Sequence, residues 1–259
     1  MPKGKLPSSH ADMALPYLYA SSSQMFELET SKTERCAYCG EEASTKDHVV
    51  SKALYPPSKA QSAVPRITVP ACRACNSSWA DDEAHFRDVL LLAGEPSPVV
   101  REQWEGKARR SFAQPDGRRR ARDLAAQLVA VATPGGEQHM IFPDRDERVL
   151  RVVRKTVRGL CHHHRLLSPI ADGQVHADIQ LFAIQPEFLA ELTQGATEAD
   201  ILDYCFGLVD EPEVHSEWLL TYYGRTPFFC IVFRSLGGCA HETATMSEKP
   251  QVGALASSS

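Results

Sequence analysis

Two short stretches, Cys36-Ala37-Tyr38-Cys39-Gly40 and Cys72-Arg73-Ala74-Cys75-Asn76, decide how the first half of this chain folds. Each stretch holds two cysteines with two residues between them, and 32 residues separate the two pairs. Two thiolates spaced in this way on a tight turn can bind one ion, and two such turns complete a tetrahedral site that suits Zn²⁺. The alternatives are two unrelated turns, or a redox-active pair, which needs only one such stretch. The predicted ligands of a structural zinc ion are Cys36, Cys39, Cys72 and Cys75.

Other residues with chemical potential stand between and beside the cysteine pairs. Lys46-Asp47-His48 lies between them, and Asn76 directly follows the last cysteine. Hydrolysis of a phosphodiester requires a deprotonated water, and a neutral histidine can take that proton near pH 7. A hard cation such as Mg²⁺ prefers oxygen ligands, which Asp47 and the side-chain carbonyl of Asn76 offer. A histidine and two oxygen ligands are among the groups that such a hydrolysis uses.

This order of Cys-x-x-Cys, Asp-His and Cys-x-x-Cys-Asn resembles the zinc-containing HNH endonucleases, which are the ββα-metal nucleases, over about residues 33–92. The resemblance implies a metal-dependent endonuclease in which Asp47 binds a catalytic Mg²⁺ or Mn²⁺ and His48 is the general base. Asn76 is the second predicted ligand of that cation. The resemblance also implies a nucleic-acid substrate, with DNA as the first expectation, and products with 5′-phosphate and 3′-hydroxyl ends. One departure is Ile67, which stands where many members of the family carry an asparagine.

A helix is predicted over about 76–93. On a helix that turns about 100° per residue, Glu83 lies on the same border as Asn76, and His85 lies on the opposite face. Glu83 is a further candidate ligand of the catalytic cation, and the alternative is an ion pair with Arg87 four residues later. We expect His85 to be a solvated side chain.

The run Cys161-His162-His163-His164 has the composition of a metal site. Adjacent residues of one helix or strand cannot all face one ion, because their side chains point in different directions. We therefore expect a packed helix end with hydrogen-bonded histidines, and the alternative is a second metal.

The charge of the chain is distributed unevenly around a net value of −5. Residues 96–165 carry 15 basic and 8 acidic side chains, a net charge of +7, whereas residues 166–259 carry 3 and 13, a net charge of −10. Arginines at this density can follow the phosphates of a nucleic acid, and the alternative is a solvated helix face. The predicted nucleic-acid contacts are Arg118, Arg119 and Arg120.

The sequence predicts an α+β fold, in which a zinc-stapled ββα-metal module is followed by a basic helical segment and a small α+β domain. Further predicted elements are a helix over 118–132, helical periodicity from Val149 to Leu160, and a helix near Pro186–Leu192. Strand-like runs are expected at Val175–Ile184, Glu217–Tyr223 and Phe228–Phe233. The predicted parts are a flexible arm over 1–30, the HNH module over 31–95, a basic helical connection over 96–148, an α+β domain over 149–246 and a disordered tail over 247–259.

Composition excludes several classes of protein. No run of 18 apolar residues occurs, and no apolar stretch follows the N-terminal lysines, so we expect no membrane span, no signal peptide and a cytoplasmic protein.

Two function classes remain, namely the endonuclease and a non-catalytic zinc module that binds nucleic acid or a protein partner. The joint presence of Asp47, His48 and Asn76 favours the enzyme, because a pure zinc module does not need them. The sequence leaves the oligomeric state undecided.

Overall fold

A computed structural model describes residues 33–60, 62–92, 97–132, 138–141, 145–180 and 184–236. The predicted arm over 1–30 and the predicted tail over 247–259 lie outside these residues. Helices and strands are mixed along the described chain, so the predicted α+β class is confirmed. In the described ranges, no helix is long and apolar enough to cross a membrane.

A two-stranded antiparallel hairpin and two helices form the part that contains the cysteine pairs. His48 lies opposite Thr68 at one end of the hairpin, and Thr45 lies opposite Ala71 at the other end. The first helix begins two residues after the hairpin ends. In chain order these elements are β1 (Thr45–His48), β2 (Thr68–Ala71), α1 (Arg73–Ser77) and α2 (Ala80–Leu92).

Several element ends differ from what the sequence indicates. The helix predicted over 76–93 is divided into α1 and α2. Proline often ends a strand, but Pro70 pairs with Lys46 within the ladder. A proline is tolerated in a strand that has no further neighbour, because its missing N–H then costs no ladder bond. The helix predicted over 118–132 ends at Ala125, and Val129–Ala132 instead forms a strand. The alanine, leucine and valine residues at the C-terminal end of that segment form a short apolar run, which is compatible with a strand as well as with a helix.

The basic segment folds mainly into short helices. A proline occupies the first turn of two of them, where its missing N–H is not needed. The last two elements of the segment pair with each other as an antiparallel hairpin. The elements are α3 (Pro98–Gln103), α4 (Arg109–Ala113), α5 (Pro115–Ala125), β3 (Val129–Ala132) and β4 (Gln138–Ile141).

A long helix, α6 (Glu147–His163), lies at the centre of the described fold. Asp146 caps its first turn, because the carboxylate accepts hydrogen bonds from the amides of Arg148 and Val149. The helix packs against α2, the hairpin and the C-terminal sheet. A Cβ at Gly159 would lie 2.8 Å from the Val49 side chain, so only glycine lets α6 approach the chain this closely after β1.

A five-stranded antiparallel sheet completes the fold, with the strand order β5-β9-β8-β7-β6. Its buried side chains share one hydrophobic core with α6 and with the hairpin module, so the described parts of the predicted 31–95, 96–148 and 149–246 segments are packed together. The predicted strands at Glu217–Tyr223 and Phe228–Phe233 and the predicted helix near 186–192 are present. The strand predicted over Val175–Ile184 ends at Ile179, and β6 and β7 are additional strands. The elements are β5 (Val175–Ile179), α7 (Pro186–Glu191), β6 (Thr193–Ala196), β7 (Leu202–Leu208), β8 (Val214–Tyr222) and β9 (Thr226–Phe233).

Candidate functional site

The four cysteines predicted as zinc ligands lie together. Their four Sγ atoms all lie within 4.8 Å of one another. The sulfurs of Cys39 and Cys72 are 3.7 Å apart. In a regular tetrahedron of thiolates at about 2.3 Å from Zn²⁺, neighbouring sulfurs lie about 3.8 Å apart. The cluster therefore has the size needed to hold a metal such as zinc.

Gly40 gives the backbone the conformation of the turn that carries the first cysteine pair. The backbone φ of Gly40 is 78°, which side chains with a Cβ rarely adopt, and its amide donates a hydrogen bond to the carbonyl of Cys36 at 2.9 Å. A Cβ at this position would also lie 3.1 Å from the ring of Pro169. The turn thus requires glycine for both its conformation and its packing.

The thiols of the cluster differ in acidity. Burial raises the pKa of Cys36, but hydrogen bonds from the backbone of Cys72, Tyr38 and Cys39 outweigh burial and lower that pKa to about 7. Burial raises the pKa of Cys75, as do hydrogen bonds with the thiols of Cys72 and Cys39. Four thiolates this close repel one another, so a cation is what would keep all four deprotonated.

Asp47, predicted as a ligand of the catalytic cation, lies on the buried face of the hairpin and is 6% exposed. Its Oδ2 atom accepts a hydrogen bond of 2.5 Å from the hydroxyl of Tyr38. The same oxygen lies 2.9 Å from the ammonium nitrogen of Lys155 on α6. Burial and the neighbouring Asp47 carboxylate raise the pKa of Tyr38, so the phenol stays protonated and donates.

Lys155 joins the hairpin to both neighbouring helices. Its side chain is fully buried, and its Nζ lies 2.6 Å from Oε1 of Glu83 on α2 and donates at 3.0 Å to the backbone carbonyl of His48. The alternative ion pair between Glu83 and Arg87 is not formed, because Arg87 donates to Asp88 instead. The motif order in the sequence predicts neither Lys155 nor Tyr38 as a site residue.

Asn76 connects α1 to the hairpin. Its amide nitrogen donates to Oγ1 of Thr45 at 3.1 Å and to the carbonyl of Lys46 at 3.5 Å. Thr45 and Asp47 alternate along β1 and therefore face the same side of the hairpin. Asn76 is thus held on the same side as Asp47, by hydrogen bonds that fasten the helix to the strand.

The acidic residues around Asp47 do not fit a divalent cation between Asp47 and Glu83. The Lys155 ammonium already lies within hydrogen-bond distance of both carboxylates, so a Mg²⁺ or Mn²⁺ ion there would lie against a buried positive charge. A catalytic cation at Asp47 and Asn76 stays a prediction.

His48, the predicted general base, lies at the end of the hairpin that is farther from the cysteine cluster. His48 is half-buried, and burial is the main reason that its pKa lies below the usual 6.5. The positive charges of Lys52 and Arg66 lower this pKa further, whereas the Asp47 carboxylate raises it. Within the described chain, no hydrogen bond holds its imidazole ring. A half-buried neutral imidazole close to two cations can accept a proton beside a negatively charged phosphate.

The expectation that His85 is solvated is wrong. His85 is 5% exposed, and its Nε2 lies 2.6 Å from Oδ2 of Asp146, the residue that caps α6. The helical wheel placed His85 opposite Asn76, but α6 covers that face of α2. His85 therefore helps to fix one helix against the other.

The three arginines predicted to contact nucleic acid differ in their surroundings. Arg118 and Arg119 are exposed on α5. Arg120 is bound instead to the fully buried carboxylate of Asp88, with its Nε 2.7 Å from Oδ2, and it also donates to Ser111. Of these three arginines, Arg118 and Arg119 are the ones that face solvent, although Arg118 donates to the carbonyl of Ala113 and Arg119 lies 3.9 Å from Asp116.

The expected packed end of α6 is present at Cys161 to His164. Burial raises the pKa of Cys161 to about 12, which makes this thiol a poor ligand. His162 is hydrogen-bonded to Ser168, and His164 to the hydroxyl of Tyr204. In the part of the chain that the structure describes, the four-cysteine cluster is the only group of this kind that could hold a metal.

Comparisons of this chain with protein-family models, with curated proteins and with solved structures find no match.

The ion pairs of Lys155 lead to a prediction about stability. Lys155→Met should lower the free energy of unfolding by about 3–5 kcal/mol, because it leaves two largely buried carboxylates without their cation. Lys46→Met, at an exposed position on β1, is the matched control and should change it by less than about 0.5 kcal/mol. Urea titration measures both values. Equal stability of the two variants would contradict a stabilising role for the Lys155 pairs.

Proposed function

We propose that this protein hydrolyses phosphodiester bonds of nucleic acid, with His48 as the general base and a structural Zn²⁺ held by the four cysteines. The observation that carries the proposal is the position of His48 on the hairpin. One end of the hairpin is fastened to the cysteine cluster, its inner face is fixed by Asp47, and His48 stands at the other end with no hydrogen bond to its ring from any described residue. DNA is the substrate to which the resemblance points.

The charges around His48 support a phosphate substrate. Lys52 and Arg66 are close enough to lower its pKa, and the same positive potential attracts a phosphodiester. Arg66 is held in place by a hydrogen bond to the carbonyl of Lys59 and by its position over the Tyr55 ring, 4.2 Å from the ring centre. His48 would take the proton of the attacking water, while these cations would stabilise negative charge that develops on the phosphate.

A second candidate function is a non-catalytic zinc module that binds nucleic acid or a protein. The buried Lys155 favours it, because this ammonium occupies the position between Asp47 and Glu83 where a catalytic cation could otherwise bind. The module would bind its partner without hydrolysing it, and this difference separates the two candidates.

The test is an assay of closed circular plasmid and of structured RNA, each with Mg²⁺, with Mn²⁺ and with EDTA. We expect the wild-type protein to cleave at least one substrate and to leave 5′-phosphate and 3′-hydroxyl ends, and we expect His48→Ala to lose this activity. His176→Ala, a half-buried histidine on β5, is the matched control and should cleave normally. The EDTA arm decides whether a divalent cation takes part. Binding without cleavage by the wild-type protein would favour the zinc module.

The exposed arginines of α5 provide a separate test of nucleic-acid contact. Replacing Arg118 and Arg119 together by Ala should lower the slope of log affinity against log salt by about one unit per lost phosphate contact. Arg234→Ala, which removes an exposed arginine after β9, should leave the slope unchanged. Fluorescence anisotropy over a salt series measures the slope. If the double variant keeps the wild-type slope, these arginines form only a solvated face.

A further inference from the structure

A cleft of about 690 Å³ lies where three parts of the fold meet. One wall is the turn of the first cysteine pair, the second is the outer side of β2, and the third is the end of α6 with the residues that follow it. The charged, histidine and strand residues that line the cleft are Arg35, His162, His163, Arg165, Thr68 and Pro70.

The register of the hairpin connects this cleft to His48. Thr68 lies opposite His48, and Pro70 lies opposite Lys46. Directly opposed residues of an antiparallel pair point to the same side of the sheet. The two β2 residues that line the cleft therefore share the outer side of the hairpin with His48 and Lys46, away from buried Asp47.

The cleft is lined by cationic and neutral side chains. Arg35 and Arg165 contribute two permanent positive charges, and no carboxylate occurs among the lining residues in the described ranges. Arg35 is exposed, and its guanidinium donates a long hydrogen bond of 3.4 Å to the carbonyl of Gly40. Glu34 is the neighbouring acid, and its charge acts on His162. A cleft of this composition suits an anion with several oxygen atoms.

The backbone of Arg165 is a second, independent indication that this cleft has a ligand. Arg165 has a φ of 57°, the left-handed conformation that usually requires glycine. The amide of Leu166 donates to the carbonyl of Cys161 and the amide of Arg165 to that of His162, which is the hydrogen-bond pattern of a glycine-terminated helix. An arginine is unfavourable in this conformation, yet its exposed side chain has no salt bridge with any described residue. Helix termination therefore does not explain the arginine.

We propose that this cleft binds the phosphodiester backbone of a nucleic acid on the His48 side of the hairpin, with Arg165 and Arg35 paired to phosphate oxygens. Planar guanidinium groups pair with phosphate in a bidentate manner, which would fix the position of the strand as well as attract it. The inference rests on the proposed function, because it names how the same site holds its substrate.

The deciding variant is Arg165→Gly, because stability and binding should change in opposite directions. Glycine relieves the left-handed backbone, so Tm should rise by about 2–4 °C. Loss of one phosphate contact should weaken binding across sequences and lower the salt slope by about one unit. Arg35→Ala should weaken binding in the same way, and Arg165→Lys, which keeps the charge, should retain part of the affinity.

The probes are fluorescein-labelled 20-nucleotide DNA and RNA, each single-stranded and as a duplex, and binding is measured on a His48→Ala background so that no probe is cleaved. The proposal is supported if Arg165→Gly and Arg35→Ala both bind at least one probe more weakly than the parent protein does. Comparison of the four probes then identifies the preferred type of nucleic acid. Wild-type affinity and salt slope in both variants, for every probe that binds, would overturn it, and so would the absence of binding to all four probes.

The result of this binding test can be distinguished from the result of the cleavage test of the proposed hydrolase. Loss of binding in a protein that cleaves nothing supports the cleft and contradicts the hydrolase. Full binding by both variants, in a protein whose cleavage requires His48, contradicts the cleft alone.

Discussion

Cys72→Ser should release the metal and destabilise residues 33–92 more than any other single substitution considered for this chain. Cys72 contributes twice to the cluster, because its sulfur lies 3.7 Å from that of Cys39 and also accepts a hydrogen bond from the amide of Cys75 at the start of α1. In zinc-finger peptides, binding of a structural Zn²⁺ contributes about 10–16 kcal/mol at pH 7. Here the loss should be smaller, since Phe86 and Leu90 of α2 are also buried in the common core.

Elemental analysis and hydrogen exchange measure the two consequences separately. The wild-type protein should contain about one zinc per chain, and the variant should contain none. Exchange should accelerate over the two cysteine turns and the hairpin, and should change less in β7–β9. Cys205→Ser, a buried cysteine on β7 outside the cluster, is the matched control and should keep its zinc. A folded wild-type protein without zinc would contradict the metal site.

The local features of the site could be predicted because their signals lie close together in the sequence. Cysteine spacing predicted which four residues converge, and the apolar positions Val149, Val153, Val157 and Leu160 predicted α6. Gly40, with its positive φ, stands next to the first pair, as a tight turn requires. Each cysteine pair and each step of the helical pattern spans only a few positions, and the two cysteine pairs carry the same spacing although 32 residues separate them.

Contacts between distant segments could not be predicted in this way. Lys155 lies 72 positions after Glu83, with which it pairs, and a helical wheel places it roughly 120° from Val149, outside the apolar stripe. Asp88 pairs with Arg120 across 32 positions, and His85 pairs with Asp146 across 61 positions. A charged residue on a helix is normally exposed, and only the packing of α6 into the common core buries these groups together. For the same reason, the composition of residues 96–165 indicated a basic surface but not which arginines are used internally.

The second large expected effect concerns the rate of cleavage. His48→Ala should lower the rate by about 10²–10⁴-fold, which is the usual contribution of a general base. Folding and zinc content should stay normal, because the ring of His48 is not hydrogen-bonded to any described side chain and only its backbone carbonyl is bound, by Lys155. The substitution keeps that carbonyl. Single-turnover cleavage beside the His176→Ala control measures the effect.

The pH dependence gives His48 a signature that a merely structural histidine would lack. The base must be neutral, and its pKa lies below 6.5 because of burial and then Lys52, so activity should be lost only as the pH falls below 6.5. Lys52→Ala removes a nearby positive charge, which should raise the pKa of His48 and move this loss of activity to higher pH. His48→Ala should remove the dependence altogether from whatever activity remains. If His48→Ala instead cleaves at the wild-type rate, the base lies elsewhere, and the zinc module becomes the better account of the hairpin.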